Sequence, residues 1–580
     1  MSNQIGNMDN SIPFSQSKST KNSIKKSTNS IKNSIIDLQK IYIVDFGSQT
    51  VQLIAKQVRL LSVYCEIISR TKFEKEFVIN QHSTIGKNVR GIILSGSPCC
   101  VSELSKQSFQ HWYNFLKNSD IPVLGICYGA QLIGSVYRCK VAVGKTREFG
   151  STEIFLKNND PILQDFITDS NKLNTNSKLN TSSKSQTVWM SHYEHIILKP
   201  ISKFVKLIAS SESDLTAIFK VKNTKNIPLY GFQFHPEVTH TNKGRQLIRN
   251  FLEICDCNFS WRSESIVIDL IKMIQTKVGS RKVIMAISGG VDSTVTASLI
   301  NKAIGNSLIC IFVDNGLLRL NEANEVMETY EQMNLNVVKV DTSKNFLKEL
   351  ENIVDPEKKR KIIGRVFIET FITYLKNSNI DTSNSEYLLA QGTIYPDVIE
   401  SEQIINGKPI KSHHNVGGLP NNLKMELLEP LRLLFKDEVR VIGKEIGVPE
   451  SILTRHPFPG PGLAIRIIGN ITSDKLRILR QVDNIYISLL KNQGLYHHIW
   501  QAGAVLLNVK TTGVMGDAGT YENVIALRAV QSSDGMTANI YHFDCHFLEK
   551  VSTEIINKVT GVNRVVYDIS SKPPATIEWE

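Results

Sequence analysis

The sequence predicts an α/β protein: two doubly wound, mostly parallel-sheet domains followed by a smaller α+β C-terminal domain. Three observations carry that expectation. Short apolar runs alternate with helix-patterned stretches from Ile41 to about Ser260. The same alternation starts afresh near Trp261, as a second doubly wound block would. Past Arg455, the Pro/Gly-rich run HPFPGPG (456–462) precedes a region in which helices and strands mix. At 580 residues the chain is too long for one compact domain.

Taken in order, residues 1–39 are rich in Asn, Ser and Lys without sustained periodicity and read as a disordered tail. That stretch contains no Arg, which argues against a mitochondrial presequence. Order is expected from Ile41, where IYIVDFG reads as a buried strand entering a turn. GIILSG (91–96), PVLGI (122–126) and LYGFQF (229–234) supply further strands of a first domain over 40–260. Asp169 to Gln186 reads as a surface insertion, tolerable because loop-closure entropy grows only logarithmically with length. In the second domain, 261–455, a helical stretch leads into VIMAI (283–287), a glycine turn, a helix and LICIFV (308–313). The third, 456–580, opens on HPFPGPG, a hinge or a boundary, and closes on KPPATIEWE.

Hydrophobic content of 41% and charged content of 21% are ordinary for a globular chain. No apolar run is long enough for a membrane span, and the N-terminus lacks a signal-peptide core, so a cytoplasmic enzyme without membrane association is expected. Nine Cys without a CxxC pair or regular spacing fit reduced thiols rather than a disulfide framework. The net charge of +12 raises the question of nucleic acid. Residues 1–40 alone hold six Lys against two Asp, and the remaining charge suits clefts that concentrate anionic phosphates. With no recognisable nucleic-acid module, nucleic-acid binding is not expected.

Residues 125–129, Gly-Ile-Cys-Tyr-Gly, follow the strand PVLGI and precede the helix AQLIGSVYR. A tight strand-to-helix turn flanked by glycines pushes Cys127 out of the sheet to a helix N-terminus, where the dipole and free N–H groups favour an anion and a developing oxyanion. A thiolate also needs a base. YGFQFHPEV places His235 and Glu237 on one face of an extended segment, so the carboxylate can orient the imidazole. GxCxGxQ followed by FHPE resembles the class I glutamine amidotransferases, and FGSQ, SGSP, REFG and VWMSH are similar to their GMP-synthetase branch. The resemblance implies Cys127 as nucleophile, His235 as base and Glu237 as its partner. It also implies oxyanion contacts near Gly96 and Tyr128, with Gln131 and the Ser191–His192 segment near the glutamine. The family usually has Gly-Asp after VWMSH, where this chain has Tyr193-Glu194. That departure leaves the triad intact and bears on substrate contacts or domain coupling.

Residues 288–293 read Ser-Gly-Gly-Val-Asp-Ser between VIMAI and a helix. Consecutive glycines let backbone amides close on a phosphate at a helix N-terminus, Ser288 and Ser293 add hydroxyl donors, and Asp292 can help hold a metal. The loop is no Walker A sequence, because the Gly-Lys-Ser/Thr end is missing. It resembles the pyrophosphate loop of N-type ATP pyrophosphatases, which implies ATP with Mg²⁺ bound by Ser288, Gly289, Gly290, Val291, Asp292 and Ser293. Asp314, at the carboxyl end of the next strand, stands as an adenosine contact or a turn cap.

DPEKKRKIIGR (355–365), QGTIYPDVIES (391–401), IKSHHNVGGLP (410–420), EPLRLLFKDEVR (429–440), GVMGDAGTYE (513–522), ALRAVQSSDGMTA (526–538) and RVVYDISSKPPATIEWE (564–580) are similar to glutamine-hydrolysing GMP synthetases. The resemblance implies that Lys572, Thr576, Ile577 and Glu578 bind xanthosine monophosphate (XMP), that Arg365 reaches its phosphate, and that Lys411 lies on a lid. It implies adenylation of XMP, displacement of AMP by glutamine-derived ammonia, and a homodimer through the C-terminal domain. On its own KPPATIEWE is equally a packed chain end, and KSHHNVGGLP a solvated basic loop. Two rivals fit less well. Glutamine-dependent NAD synthetases resemble a nitrilase-type amidase domain and lack the C-terminal motifs, and a protein that keeps the fold for binding alone has no need of a complete triad and loop.

Overall fold

A computed structural model gives the fold, describing residues 38–580 apart from 80–84, 167–184, 199–203, 382–384, 403, 406–407, 410–424, 533–534 and 536. The N-terminal tail, most of the expected insertion at 169–186, and Lys411 with its loop lie outside the described residues. The chain forms two compact units that divide between Ser265 and Ile266.

The first unit is built on β1 (Lys40–Asp45), β2 (Tyr64–Ser69), β3 (Val89–Leu94), β4 (Val123–Ile126), β5 (Lys140–Leu156), β6 (Ser185–Ile197), β7 (Val205–Ser211), β8 (Thr216–Lys222) and β9 (Pro228–Phe232). One sheet takes the order β2-β1-β3-β4-β9-β8-β7-β5-β6. The first five strands in that order are parallel. All four β4 residues are buried, which is why PVLGI reads as a continuous apolar run. The other four strands extend the sheet antiparallel. The parallel pattern expected for this domain therefore describes only the half that carries the chemistry. Short turns join β7 to β8 and β8 to β9, and such connections permit antiparallel pairing only. Helix α1 (Val51–Leu60) follows β1, and α2 (Tyr128–Val136) follows β4. Almost every residue of α2 is buried, which fixes it rigidly against the sheet.

The second unit holds β10 (Lys282–Ile287), α3 (Val291–Ile304), β11 (Leu308–Asp314), β12 (Val337–Asp341), α4 (Pro356–Asn377), β13 (Tyr387–Ala390) and β14 (Glu426–Leu428). These strands form a wholly parallel sheet in the order β12-β11-β10-β13-β14, as expected of a doubly wound block. Beyond it come α5 (Ser473–Asn492), β15 (Gln501–Met515), β16 (Ala518–Gln531), β17 (Asn539–Ile540), α6 (Cys545–Lys558) and β18 (Val562–Tyr567). β15 and β16 form a long hairpin, with β18 parallel to β16. Ile311 and Leu317 share one apolar core with Leu463, Leu479, Ala504 and Ile525, so the five-stranded parallel sheet and the C-terminal sheet pack as one body.

HPFPGPG (456–462) meets that shared core through Phe458. Leu463, Ala464 and Ile465 are fully buried, the Leu463 N–H donates to the Leu317 carbonyl at 2.8 Å, and His456 stacks on Tyr496. Burial pushes the His456 imidazole down to about 4, so it stays neutral at physiological pH.

Candidate active sites

The turn from β4 into α2 holds Cys127 at φ 51°, ψ −102°, a strained conformation for a residue with a side chain. Its N–H donates to the Phe232 carbonyl of the neighbouring β9 at 2.7 Å, which locks the elbow to the sheet. The thiol donates to the Ser191 carbonyl at 3.8 Å, and the His235 ring and Cys127 both stand beside Gly96. His235 Nδ1 and Glu237 Oε1 are 2.8 Å apart, and Thr50 Oγ1 donates to the same carboxylate oxygen at 2.6 Å. Burial alone would depress the imidazole, but the Glu237 carboxylate and Cys127 outweigh it and hold His235 well above the ordinary histidine value.

The expected glutamine contacts surround this triad unequally. A Cβ built on Gly96 would lie 3.4 Å from His235 Cε1 and 3.9 Å from Cys127 Cβ, which puts the Gly96 backbone beside both reacting groups. Tyr128 opens α2, so its N–H belongs to the first helical turn, and its ring packs 5.1 Å from Phe46. Gln131 is buried and donates to the Glu194 carbonyl at 3.0 Å. Its visible task is therefore to hold the 191–195 segment of β6 against α2. At the departure from the family pattern, Tyr193 is exposed against Phe149 and Arg147, while Glu194 turns inward.

In the second unit the loop from β10 into α3 has the expected shape. Gly289 sits at φ +77° with its carbonyl accepting from Arg455 at 3.0 Å, and a Cβ there would strain the backbone and press on Val326. Gly290 is the N-cap of α3 and Val291 is buried, so any contact Val291 makes with a ligand at the loop is through its backbone. Ser288 Oγ and Ser293 Oγ are 3.1 Å apart. Asp292 Oδ1 is buried without a hydrogen-bond partner among the described residues, and Oδ2 lies 3.6 Å from Lys436 Nζ. A carboxylate oxygen left open beside a phosphate-type loop fits a hard cation. Asp314 caps a turn: Oδ1 accepts from the Gly316 N–H at 3.1 Å and Oδ2 pairs with Lys339 at 3.2 Å.

The chain end is packed against the rest of the second unit through charged and polar side chains. Glu578 is partly buried, with Arg466 donating to both carboxylate oxygens at 3.0 and 2.7 Å and Gln501 adding a third bond at 2.8 Å. Burial opposes ionisation there, yet Arg466 holds the Glu578 carboxyl below the usual range. Arg528 binds the carbonyls of Ser570, Thr576 and Ile577, while Lys572 Nζ donates to the Gly535 carbonyl. Fully buried Lys359 reaches the Glu580 carboxylate. Ile577 and Glu578 line a small cavity with Arg466, Gln501 and Arg528. Arg365 lies elsewhere, half-exposed on α4 and paired with Glu349 and Glu369.

Comparison with known proteins fits this arrangement. Family models match in three places: glutamine amidotransferase class-I at 42–255, NAD synthase at 264–397 and GMP synthase C-terminal domain at 488–579. A protein of Cytophaga hutchinsonii named GMP synthase [glutamine-hydrolyzing] is 49% identical, over 93% of this chain and 100% of its own length. Relatives of the same name from Bacteroides thetaiotaomicron, with a final numeral 1, and Caldanaerobacter subterraneus are 48% and 46% identical, each aligned over its full length. This chain belongs to the glutamine-hydrolysing GMP synthase family. The family's amidotransferase part is thus the first unit, and the NAD synthase-like and C-terminal parts together form the second.

Several residues at these sites escaped the sequence reading. Thr50 adjoins the quoted FGSQ motif, but nothing local says that its hydroxyl supports Glu237. Arg466, Gln501, Arg528 and Lys359 hydrogen-bond to residues of the chain end 42 to 221 positions away, beyond any periodicity. Removing one partner of a buried pair leaves an uncompensated charge, so Arg466→Met is expected to destabilise the second unit by about 3–5 kcal/mol in chemical denaturation. A loss below about 1 kcal/mol would contradict the buried pairing.

Glu237→Gln tests the triad. It keeps a hydrogen-bonding shape but removes the charge, and glutamine hydrolysis is expected to fall about 10²–10⁴-fold. Because the folded His235 value is raised, the pair's contribution to stability is full below about pH 6.5 and fades as pH rises through the folded value. The gap in unfolding midpoint between wild type and Glu237→Gln should accordingly be widest in acid and narrow towards alkaline pH.

Proposed function

We propose that the chain makes GMP from XMP, with glutamine as nitrogen donor and ATP as activator, in purine biosynthesis. In the first unit His235 takes the Cys127 proton and the thiolate attacks the glutamine carboxamide. Glu237, braced by Thr50, holds the imidazole as it becomes charged. Backbone N–H groups near Gly96 and Tyr128 receive the oxyanion. His235 then returns its proton to the departing ammonia, and water activated by the same ring releases glutamate from the thioester.

In the second unit the residues Ser288, Gly289, Gly290, Val291, Asp292 and Ser293 take the phosphates of ATP, with Asp314 at the adenosine side. The xanthine 2-oxygen of XMP attacks the α-phosphorus, pyrophosphate leaves, and ammonia adds at C2 to expel AMP. Adenylation is needed because a carbonyl oxygen is a poor leaving group. Asp292 is the residue that would hold Mg²⁺, which neutralises phosphate charge when bound.

Lys572, Thr576, Ile577 and Glu578 are assigned to XMP, Lys411 to a lid and Arg365 to the XMP phosphate. A carboxylate offers about four acceptor positions, so Glu578, with three filled, retains one for a purine edge. Arg365 would exchange exposed ion pairs, worth about 0–1 kcal/mol each, for a phosphate. A cytosolic homodimer completes the reading. Val509, Val514, Tyr521 and Ile569, exposed on and beside the β15–β16 hairpin, support self-association. Among the described residues no helix is long and apolar enough to cross a membrane.

The observation that carries the proposal is a complete Cys–His–Glu triad on the same chain as a phosphate-type loop and a clamped C-terminal tail. The test is ATP cleavage with XMP against nicotinic acid adenine dinucleotide as acceptor. Stimulation by XMP alone is expected; stimulation by the dinucleotide alone would transfer the second unit to NAD synthesis.

A further inference from the structure

A second cluster of reactive side chains in the first unit has no part in the chemistry above. β5 and β6 pair Glu148 directly with His192, and His195 follows three residues later on β6. All three are buried. Glu148 Oε2 lies 3.2 Å from His192 Nε2 and 3.9 Å from His195 Nδ1, and the three donor atoms lie within 4.8 Å of one another. The other carboxylate oxygen accepts from Ser211 Oγ at 2.7 Å. Nδ1 of His192, a residue only 4% exposed, has no hydrogen-bond partner among the described residues, and Nε2 meets the Glu148 carboxylate outside hydrogen-bond geometry.

Buried polar nitrogens are almost always satisfied, so a histidine left this way calls for a missing partner. A cation at the centre of the cluster supplies one. Tetrahedral bonds of ~2.0–2.1 Å put neighbouring donor atoms ~3.3–3.4 Å apart; the two carboxylate–imidazole separations, 3.2 and 3.9 Å, bracket that value, and the two imidazole nitrogens lie within 4.8 Å of each other. The Ser211 hydroxyl on the free carboxylate oxygen is the kind of outer contact that orients a metal ligand. Two imidazoles with one carboxylate suit zinc and its first-row neighbours, whereas Mg²⁺ and Ca²⁺ prefer oxygen alone.

We propose that Glu148, His192 and His195 form a binding site for a divalent first-row transition metal, Zn²⁺ foremost, with water completing the coordination. The bound ion ties β5 to β6 where β6 walls the nucleophile, since Ser191 and Glu194 of the same strand meet Cys127 and Gln131. Its expected role is to stiffen that wall.

The test uses the full-length protein, stripped with a chelator and titrated with Zn²⁺ against a chromophoric competitor, beside His195→Asn and Glu148→Gln. One equivalent per chain is expected. Loss of an outer contact alone weakens metal sites 10–100-fold, so either ligand variant should bind at least about 10²-fold more weakly. Zn²⁺ should raise the unfolding midpoint of wild type and not of the variants. Co²⁺ in wild type should give visible bands of nitrogen and oxygen ligation without a thiolate charge-transfer band, a readout that stands even if a variant fails to fold. Absence of stoichiometric binding, undiminished binding by both variants, or a thiolate band would each overturn the site. The first of these would leave a metal-free His–Glu cluster, and the last would move the ion to cysteine.

Discussion

Cys127→Ala should lower glutamine-dependent GMP formation by about 10³-fold or more and leave ammonium-dependent formation within about twofold of wild type. The asymmetry follows from the two units. The thiol is the only nucleophile in its triad, and its backbone carries the strain of the elbow at φ 51°, so alanine keeps the fold and removes the reaction. The phosphate loop and the tail clamp belong to the other unit and should not register the loss. Initial rates of GMP formation from XMP and ATP with each donor check this. Equal loss with both donors, or retained glutamine use, would contradict the assignment of Cys127.

Asp292→Ala should act on the opposite side, lowering GMP formation about 10²–10³-fold with either donor. Asp292 is the acid in the first turn of α3, its Oδ1 is buried without a protein partner, and Lys436 is the cation that balances it. Taking the carboxylate away removes a ligand and leaves Lys436 to repel the metal. XMP-dependent release of pyrophosphate reports the step directly. A variant that releases pyrophosphate at the wild-type rate would take Asp292 out of the ATP site.

What was legible in the sequence was what local backbone chemistry dictates. A glycine-flanked Cys between an apolar strand and a helix has few ways to fold; His235 and Glu237, expected on an extended segment, instead lie past the end of β9 in a turn and meet there at 2.8 Å. Ser-Gly-Gly-Val-Asp-Ser was readable for the same reason: φ +77° at Gly289 is a demand that the sequence announces. Contacts set by pairing across the chain were not legible. The antiparallel half of the first sheet depends on turns and on a register irregularity between Val143 and Glu148, and that irregularity also places Glu148 opposite His192. No period in REFG or in VWMSHYEH specifies that alignment. Asp314 shows the limit from the other side. Its position at a strand end suggested ligand contact as well as capping, and the visible bonds are a cap and an ion pair. The tail was readable only through resemblance, because Arg466, Arg528 and Lys359 hold it from distant parts of the chain.

The most direct measurement of the central claim is the stoichiometry of one reaction, with wild-type protein, Mg²⁺, XMP, ATP and glutamine. GMP, AMP, pyrophosphate and glutamate should appear in equal amounts, and omitting XMP should stop AMP formation. ATP cleaved or glutamine consumed without matching GMP would contradict the account, because the two sites would then be serving some other acceptor.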